Sequence, residues 1–449
     1  MIPTVVAEIR ATLALAVPLA LANLAQIAMG VVDTVMVGTL GAVPLAAVGL
    51  GGGLYFTGAV VCQAVLNAVA PLAAFAIGSG DRASAGRIAG SGLVLAAVLT
   101  PPVMAALMGA DRLLDVIGYD PALAREIGRF LHAVAWGTPA FLGFAVLRSL
   151  LAALARARVV MVVLTLCVPT LIGLNWILIF GHLGAPALGL VGCAYASAIN
   201  QWLMFLGLSG ALWSLRRRER APRLRGTPGE IAHGIRRILA LGLPIGGLQG
   251  LEIGVFVFSA ALMGLFGADA LGANQIAINC ATISWMVPLG IGQAATVRVA
   301  AERGAEAPAA ARRAAFVALG LGALFMAGAA AVLWTEPARI IGAYIRIDDP
   351  ANHGLVRFAI AFFRIAAVFQ IVDGVQVVAA GALRGYHDTK VPMVCAGIGY
   401  WAVGFAGGWG MAFPLGIGPV GLWWGFVLGL ATVATLLTLR LYRQSGQEI

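Results

Sequence analysis

Charge is what this chain lacks. Only 11% of its 449 residues are Asp, Glu, Lys or Arg, against about 25% in an ordinary soluble domain. With 61% hydrophobic residues, there is too little polar surface to cover a water-soluble fold. Cysteine is sparse as well. Cys62, Cys167, Cys193, Cys280 and Cys395 all fall in apolar runs without metal-ligand spacing, which reads as small core residues rather than a disulfide or metal framework. The five histidines (His132, His182, His233, His353 and His387) lie in or near links, with no paired metal spacing and no serine or cysteine nucleophile motif beside them. An integral-membrane enzyme is thereby disfavoured. The first ten residues lack a basic region and a small-residue cleavage site, so no signal peptide is expected.

What is present is a succession of apolar runs of about 20 residues, the length that crosses a bilayer as helix. Twelve spans are expected, near 11–37, 45–77, 84–108, 125–152, 158–181, 187–214, 236–265, 269–297, 311–334, 355–383, 389–413 and 419–442. Pro18 and Pro244 are candidate kinks. Links after even-numbered spans carry the arginines, among them Arg82, Arg87, Arg156, Arg158, Arg216 to Arg218, Arg220, Arg223, Arg225, Arg303, Arg312, Arg313, Arg384 and Lys390. Links after spans 1, 5, 7 and 11 carry almost none, and those after spans 3 and 9 mix in acids (Asp111, Asp115, Asp120; Asp348, Asp349). The positive-inside rule then puts both termini and the even-numbered links in the cytoplasm. The same rule accounts for the net charge of +10, so nucleic acid is not an expected partner. The Arg216–Arg218 triplet resembles an anionic-lipid contact, but an ordinary orientation signal is the favoured account.

The chain repeats itself. Leu13–Ala20 (LALAVPLA) answers Leu239–Gly246 (LALGLPIG); Pro18 pairs with Pro244, and Gly41-Ala42 with Gly267-Ala268, at one constant offset. Each half has an even number of spans, so the halves are expected as parallel copies related by a pseudo-two-fold axis along the membrane normal. The expected organisation is all-α and polytopic: a first six-helix lobe (1–215), an arginine-rich cytoplasmic linker (216–235) and a second six-helix lobe (236–449).

Three carboxylates sit inside spans: Asp33, Glu252 and Asp373. A charge at mid-membrane costs at least ~2.5–3.5 kcal/mol, so such a residue faces a polar cavity or a partner. Gln26 shares a helical face with Asp33, Gln249 lies three residues before Glu252, and Gln370 and Gln376 flank Asp373 by three residues each. These acids either carry a proton or, with amide and backbone oxygens, cage a small cation; the alternative is a buried acid that only stiffens the bundle. Asn67, Asn175, Asn200, Gln201, Gln275 and Asn279 form a second polar layer, which can line a cavity or join helices. Arg364 reads as a cation snorkelling to the interface. Trp136, Trp176, Trp285 and Trp401 could offer faces to flat cations, or serve as anchors and core.

These residues carry a resemblance. The stretches Pro18–Gly38 (P-x14-DTVMVG), Leu241–Glu252 (LGLPIGGLQGLE), Ala273–Asn279 (ANQIAIN), Gly290–Val299 (GIGQAATVRV), Val372–Pro392 (VDGVQVVAAGALRGYHDTKVP) and Gly184–Ala196 (GAPALGLVGCAYA) are similar to those of the multidrug and toxic compound extrusion (MATE) family, NorM-like branch. The resemblance runs over essentially the whole chain. It implies a monomeric transporter in the cell's inner membrane that exports small, often cationic aromatic drugs and toxic compounds in exchange for Na+ or H+, with no cofactor besides that ion. It further implies that Glu252 and Asp373 form the second-lobe cation site (the Na+ ligands, if the ion is Na+) and that Asp33 serves the first lobe; from their places in the spans, Gln26, Asn175, Gln249, Gln275, Asn279, Gln370 and Gln376 are expected as polar cavity residues. Two departures keep the ion open. Phe369 stands where a tyrosine often precedes the second-lobe aspartate by one turn, and no second acid lies near Asn175. The rival within the superfamily, a lipid-linked oligosaccharide flippase, usually carries arginines in its cavity and often two extra spans.

Overall fold

The computed structural model describes residues 4–117, 120–218, 221–224 and 226–447, without the side chains of 113 and 115–117. Arg220 and Arg225 of the basic link, and the Asp115 side chain, lie outside the described residues. Twelve helices are long and apolar enough to cross a membrane. They are α1 (Val5–Gly38), α2 (Ala42–Gly78), α3 (Arg82–Arg112), α4 (Pro121–Ala153), α5 (Ala157–Phe180), α6 (Leu190–Arg217), α7 (Pro228–Gly264), α8 (Ala268–Gly304), α9 (Pro308–Thr335), α10 (Pro350–Gly385), α11 (Lys390–Ala412) and α12 (Pro419–Gln447). No strand occurs among the described residues. The chain is a multi-pass, all-helical membrane protein, as expected.

The expected span edges hold to a few residues except where a helix outruns its apolar stretch. Hydropathy marks where side chains turn polar, whereas backbone hydrogen bonding carries the helix on. The start of α7 is eight residues earlier than the apolar run because Thr227 and Glu230 cap it reciprocally: Glu230 Oε2 accepts from the Thr227 N–H at 2.8 Å, and Thr227 Oγ1 accepts from the Glu230 N–H at 3.4 Å. The C-terminal extension of α8 carries Arg298, which forks onto Glu8 of α1 (3.0 and 2.8 Å) and reaches Glu302 at 2.9 Å. Glu8 is 1% exposed; burial of a carboxylate is tolerated here because the guanidinium meets it bidentately.

The repeat is visible in the backbone. Gly41 and Gly267 precede α2 and α8 with φ of +116° and +96°, a region where other residues are strained. Pro18 and Pro244 both lie inside continuous helices. Each removes one N–H from its helix ladder.

Compactness divides the chain elsewhere than the repeat does. One unit comprises residues 21–246, the other 1–20 together with 247–449. Both boundaries fall two residues beyond a proline of the matched pair, so α1 and α7 each contribute to both units. Within the first unit, Gly242 and Gly246 of α7 bring that helix against Val65 and Val61 of α2, where an added Cβ would meet Val65 O at 2.3 Å and Val61 O at 3.2 Å. The stretch Pro222–Leu224 lies across α3 at Gly86 and Gly90, and Arg216 Nε donates to Pro222 O at 3.0 Å. Within the second unit, Gly290 of α8 leaves room for α1 at Ala16 and Ala20.

Glycines also set the approach of α11 to α12. A Cβ on Gly425 would meet Gly404 O and Gly408 Cα, both at 2.5 Å, and one on Gly429 would meet Gly404 Cα at 2.8 Å. Such small-residue seams let membrane helices gain dispersion energy where no hydrophobic effect drives them together. Gly425→Ala therefore should destabilise the protein by roughly 1–3 kcal/mol, read as a lower unfolding midpoint in detergent. Gly407→Ala, with nothing within 4 Å of its added methyl, should leave the midpoint unchanged or raise it.

Candidate functional site

In the unit of residues 21–246, Asp33 of α1 accepts two hydrogen bonds, from Asn175 Nδ2 of α5 and Ser197 Oγ of α6, both at 2.6 Å. Two donors from two different helices hold this carboxyl group in place. Asn175 is fully buried, and its Oδ1 has no partner. Asn200 Nδ2 reaches Met29 Sδ at 3.3 Å, a weak acceptor, and Asn200 Oδ1 is also unpartnered. Ser197 was not anticipated from the sequence. A span serine ordinarily bonds its own preceding turn, so nothing in its position singles it out. Gln26 is engaged differently from Asp33. Its Oε1 accepts from Arg148 Nη1 of α4 at 2.9 Å, and Arg148 Nη2 donates to Asn23 Oδ1. Arg148 did carry a readable signal, a cation deep in an apolar run.

In the unit of residues 1–20 and 247–449, Asp373 of α10 is 5% exposed and Glu252 of α7 half-buried. The two acids repel one another, and Arg384 of α10 attracts Glu252. Gln370 donates to Ser284 Oγ of α8. Its own Oε1 and that of Gln376 are buried without partners. The indole N–H of Trp285 approaches Asp373 without completing a hydrogen bond. Gln249 is half-buried one turn before Glu252. Gln275 and Asn279 stand on an exposed stretch of α8 and bond to each other at 3.3 Å; the neighbouring Asn274 turns into the core and accepts from Trp423 Nε1 at 3.1 Å. Phe369, where a phenol was expected, packs its ring against Phe256, Trp423 and Phe426 at centroid distances of 6.1–6.4 Å. Trp401 donates to Leu251 O at 3.2 Å and packs on Phe258, and Trp176 stacks on His182 at 3.9 Å. Arg364 is exposed.

Among the described residues no three His, Cys, Asp or Glu side chains cluster to hold a metal ion. The orphaned amide oxygens beside Asp373 nonetheless fit a hard monovalent cation, which takes oxygen ligands of mixed charge. Removing one donor offers a direct check on the Ser197–Asp33 pair. Ser197→Ala should lower stability by roughly 1–3 kcal/mol, and most of that loss should vanish in the Asp33→Asn background if thermal unfolding of the four proteins is compared as a cycle.

Buried acids held among polar side chains, in a bundle of twelve membrane-crossing helices, define a membrane transporter rather than an enzyme. The family model MatE matches residues 18–177 and 244–409. The chain is 41% identical over 453 residues to a probable multidrug resistance protein NorM of Burkholderia mallei, covering 99% of this chain and 94% of that one. It is 41% identical over 441 residues to the multidrug resistance protein NorM of Burkholderia vietnamiensis, covering 98% and 94%. This chain belongs to the MatE family. Among solved structures it is similar to the eukaryotic MATE transporter AtDTX14 (TM-score 0.88, 20% identity, 99% of this chain and 98% of that one). It is equally similar to an outward-facing multidrug resistance MATE transporter (TM-score 0.88, 19% identity, 98% and 96%). That likeness establishes the two-lobe, twelve-helix fold.

Proposed function

We propose that this chain is a cation-coupled antiporter that exports organic, often cationic aromatic, drugs and toxic compounds by alternating access. The names of the NorM relatives support export of such compounds. The reading of the coupling rests on one observation: Glu252 and Asp373 share a buried site whose neighbouring amide oxygens lack partners. Two like charges in low dielectric are costly to each other and demand a positive guest. Glu252 and Asp373 take up Na+ or a proton, and Asp33 a second ion; neutralising the acids loosens their hold on a cationic drug. The amides Gln26, Asn175, Gln249, Gln275, Asn279, Gln370 and Gln376 contribute the polar lining. The lobes 1–215 and 236–449 move about the linker 216–235, with Pro18 and Pro244 as the points where their first helices bend. Driving energy is about 2.3 kcal/mol per charge per 100 mV. The arginine-rich links place both termini in the cytoplasm, and the inner membrane is the protein's site. It acts as a monomer with lipid as its surrounding partner and no nucleic acid.

The test is dye efflux from everted vesicles, with a Na+ gradient and a pH gradient imposed separately. One of the two gradients should drive efflux, and Asp373→Asn should reduce the driven rate to background while the protein still inserts and folds. Native-rate extrusion of ethidium by Asp373→Asn would overturn the coupling role.

A further inference from the structure

The carboxylate site has a member that neither the motif nor the spacing pointed to. Within α11, residues Gly397–Phe405 form a π-helical segment, and the Ala406 N–H bonds to Trp401 O, five residues back. Wide turns of this kind are rare and cluster at functional positions, because the extra residue per turn redirects the side chains that follow. Here the segment is held against α12 by glycine contacts: a Cβ on Gly399 would meet Val433 Cγ2 at 2.3 Å, and one on Gly404 would meet Gly429 Cα at 3.1 Å. The side chain it delivers is Tyr400. This tyrosine is 1% exposed, and its hydroxyl has no hydrogen-bond partner. It interacts electrostatically with Glu252 of α7 and with Asp373 and Arg384 of α10. An orphaned hydroxyl in a protein interior costs about 1–3 kcal/mol. That cost, incurred beside two acids, calls for something the hydroxyl binds in another state of the site.

We propose that Tyr400 supplies the phenolic oxygen of the Glu252–Asp373 cation site, from α11, in place of the phenol that Phe369 does not provide on α10. The inference rests on the reading that these two acids take up the coupling cation. The charges that act on the hydroxyl are Glu252, Asp373 and Arg384, with Gln370 and Gln376 flanking Asp373 on its own helix. With a cation bound, the phenolic lone pair completes an oxygen set of two carboxylates, a phenol and the orphaned amide oxygens. Without it, the hydroxyl has no hydrogen-bond partner in the protein. Arg384 balances one of the two negative charges, so the site is built for one monovalent cation.

The experiment measures cation-induced stabilisation of the purified full-length protein, not transport. Unfolding midpoints are followed as Na+ is titrated at fixed pH, with K+ keeping ionic strength constant, and separately as pH is lowered. Selective binding to the native state raises the midpoint in proportion to the logarithm of ligand occupancy. One ion should stabilise the native sequence. Tyr400→Phe should keep or raise the ion-free midpoint, since it removes only an unpartnered hydroxyl, yet need about tenfold more cation for the same shift, about 1.4 kcal/mol. Asp373→Asn should abolish the shift. A merely structural tyrosine would show the reverse pattern, a lower ion-free midpoint with unchanged cation response, and that result would overturn the proposal. Superimposable titrations for the native sequence and Tyr400→Phe, with Asp373→Asn flat, would remove Tyr400 and leave the two-acid site standing. A full shift in Asp373→Asn, or no shift with either ion in the native sequence, would remove both.

Discussion

A carboxylate buried in this protein must find positive charge or hydrogen-bond donors. Glu8 takes the direct solution, a guanidinium that grips both its oxygens. Asp33 takes a milder one, two short bonds from an amide and a hydroxyl. Glu252 and Asp373 take neither: they repel each other, with Arg384 as partial compensation, and the side-chain oxygens of Gln370 and Gln376 are unpaired. Incomplete satisfaction of this kind is what a stable scaffold avoids.

The same economy governs how the helices meet. With 59 glycines in the chain, backbones approach closely at Gly242, Gly290, Gly404, Gly425 and Gly429. Lipid tails solvate leucine as well as another leucine does, so association depends on dispersion and on polar pairs. The seam between α11 and α12 does more than bind two helices. It packs against the π-helical stretch Gly397–Phe405, which carries the buried Tyr400.

The two prolines of the repeat occupy comparable structural positions. Just beyond Pro18 and Pro244, α1 and α7 pass from one compact unit to the other. The duplication conserves this arrangement of the backbone but not the chemistry, since Gln26 of the first half corresponds to Glu252 of the second. One copy of the position became an acceptor for Arg148 and the other an acid beside Asp373.

Much of this was legible in the chain itself. The twelve spans, the repeat, the glycine turns before α2 and α8, and the three intramembrane acids follow from hydropathy, spacing and the cost of burying charge, all of which are local or periodic. The partners of those acids were not legible. Ser197 and Asn175 come to Asp33 from 142 to 164 residues away, and no periodicity encodes which of many span hydroxyls turns toward an acid. Tyr400 was not legible either, because hydropathy gives no sign of the π-helical turns at Gly397–Phe405. Sequence alone determined that this is a bundle of membrane helices with acids at its core. Tertiary structure decided which side chains satisfy them and which stay unpaired, because that depends on how closely glycine-lined helices approach and where a helix departs from its ideal turn.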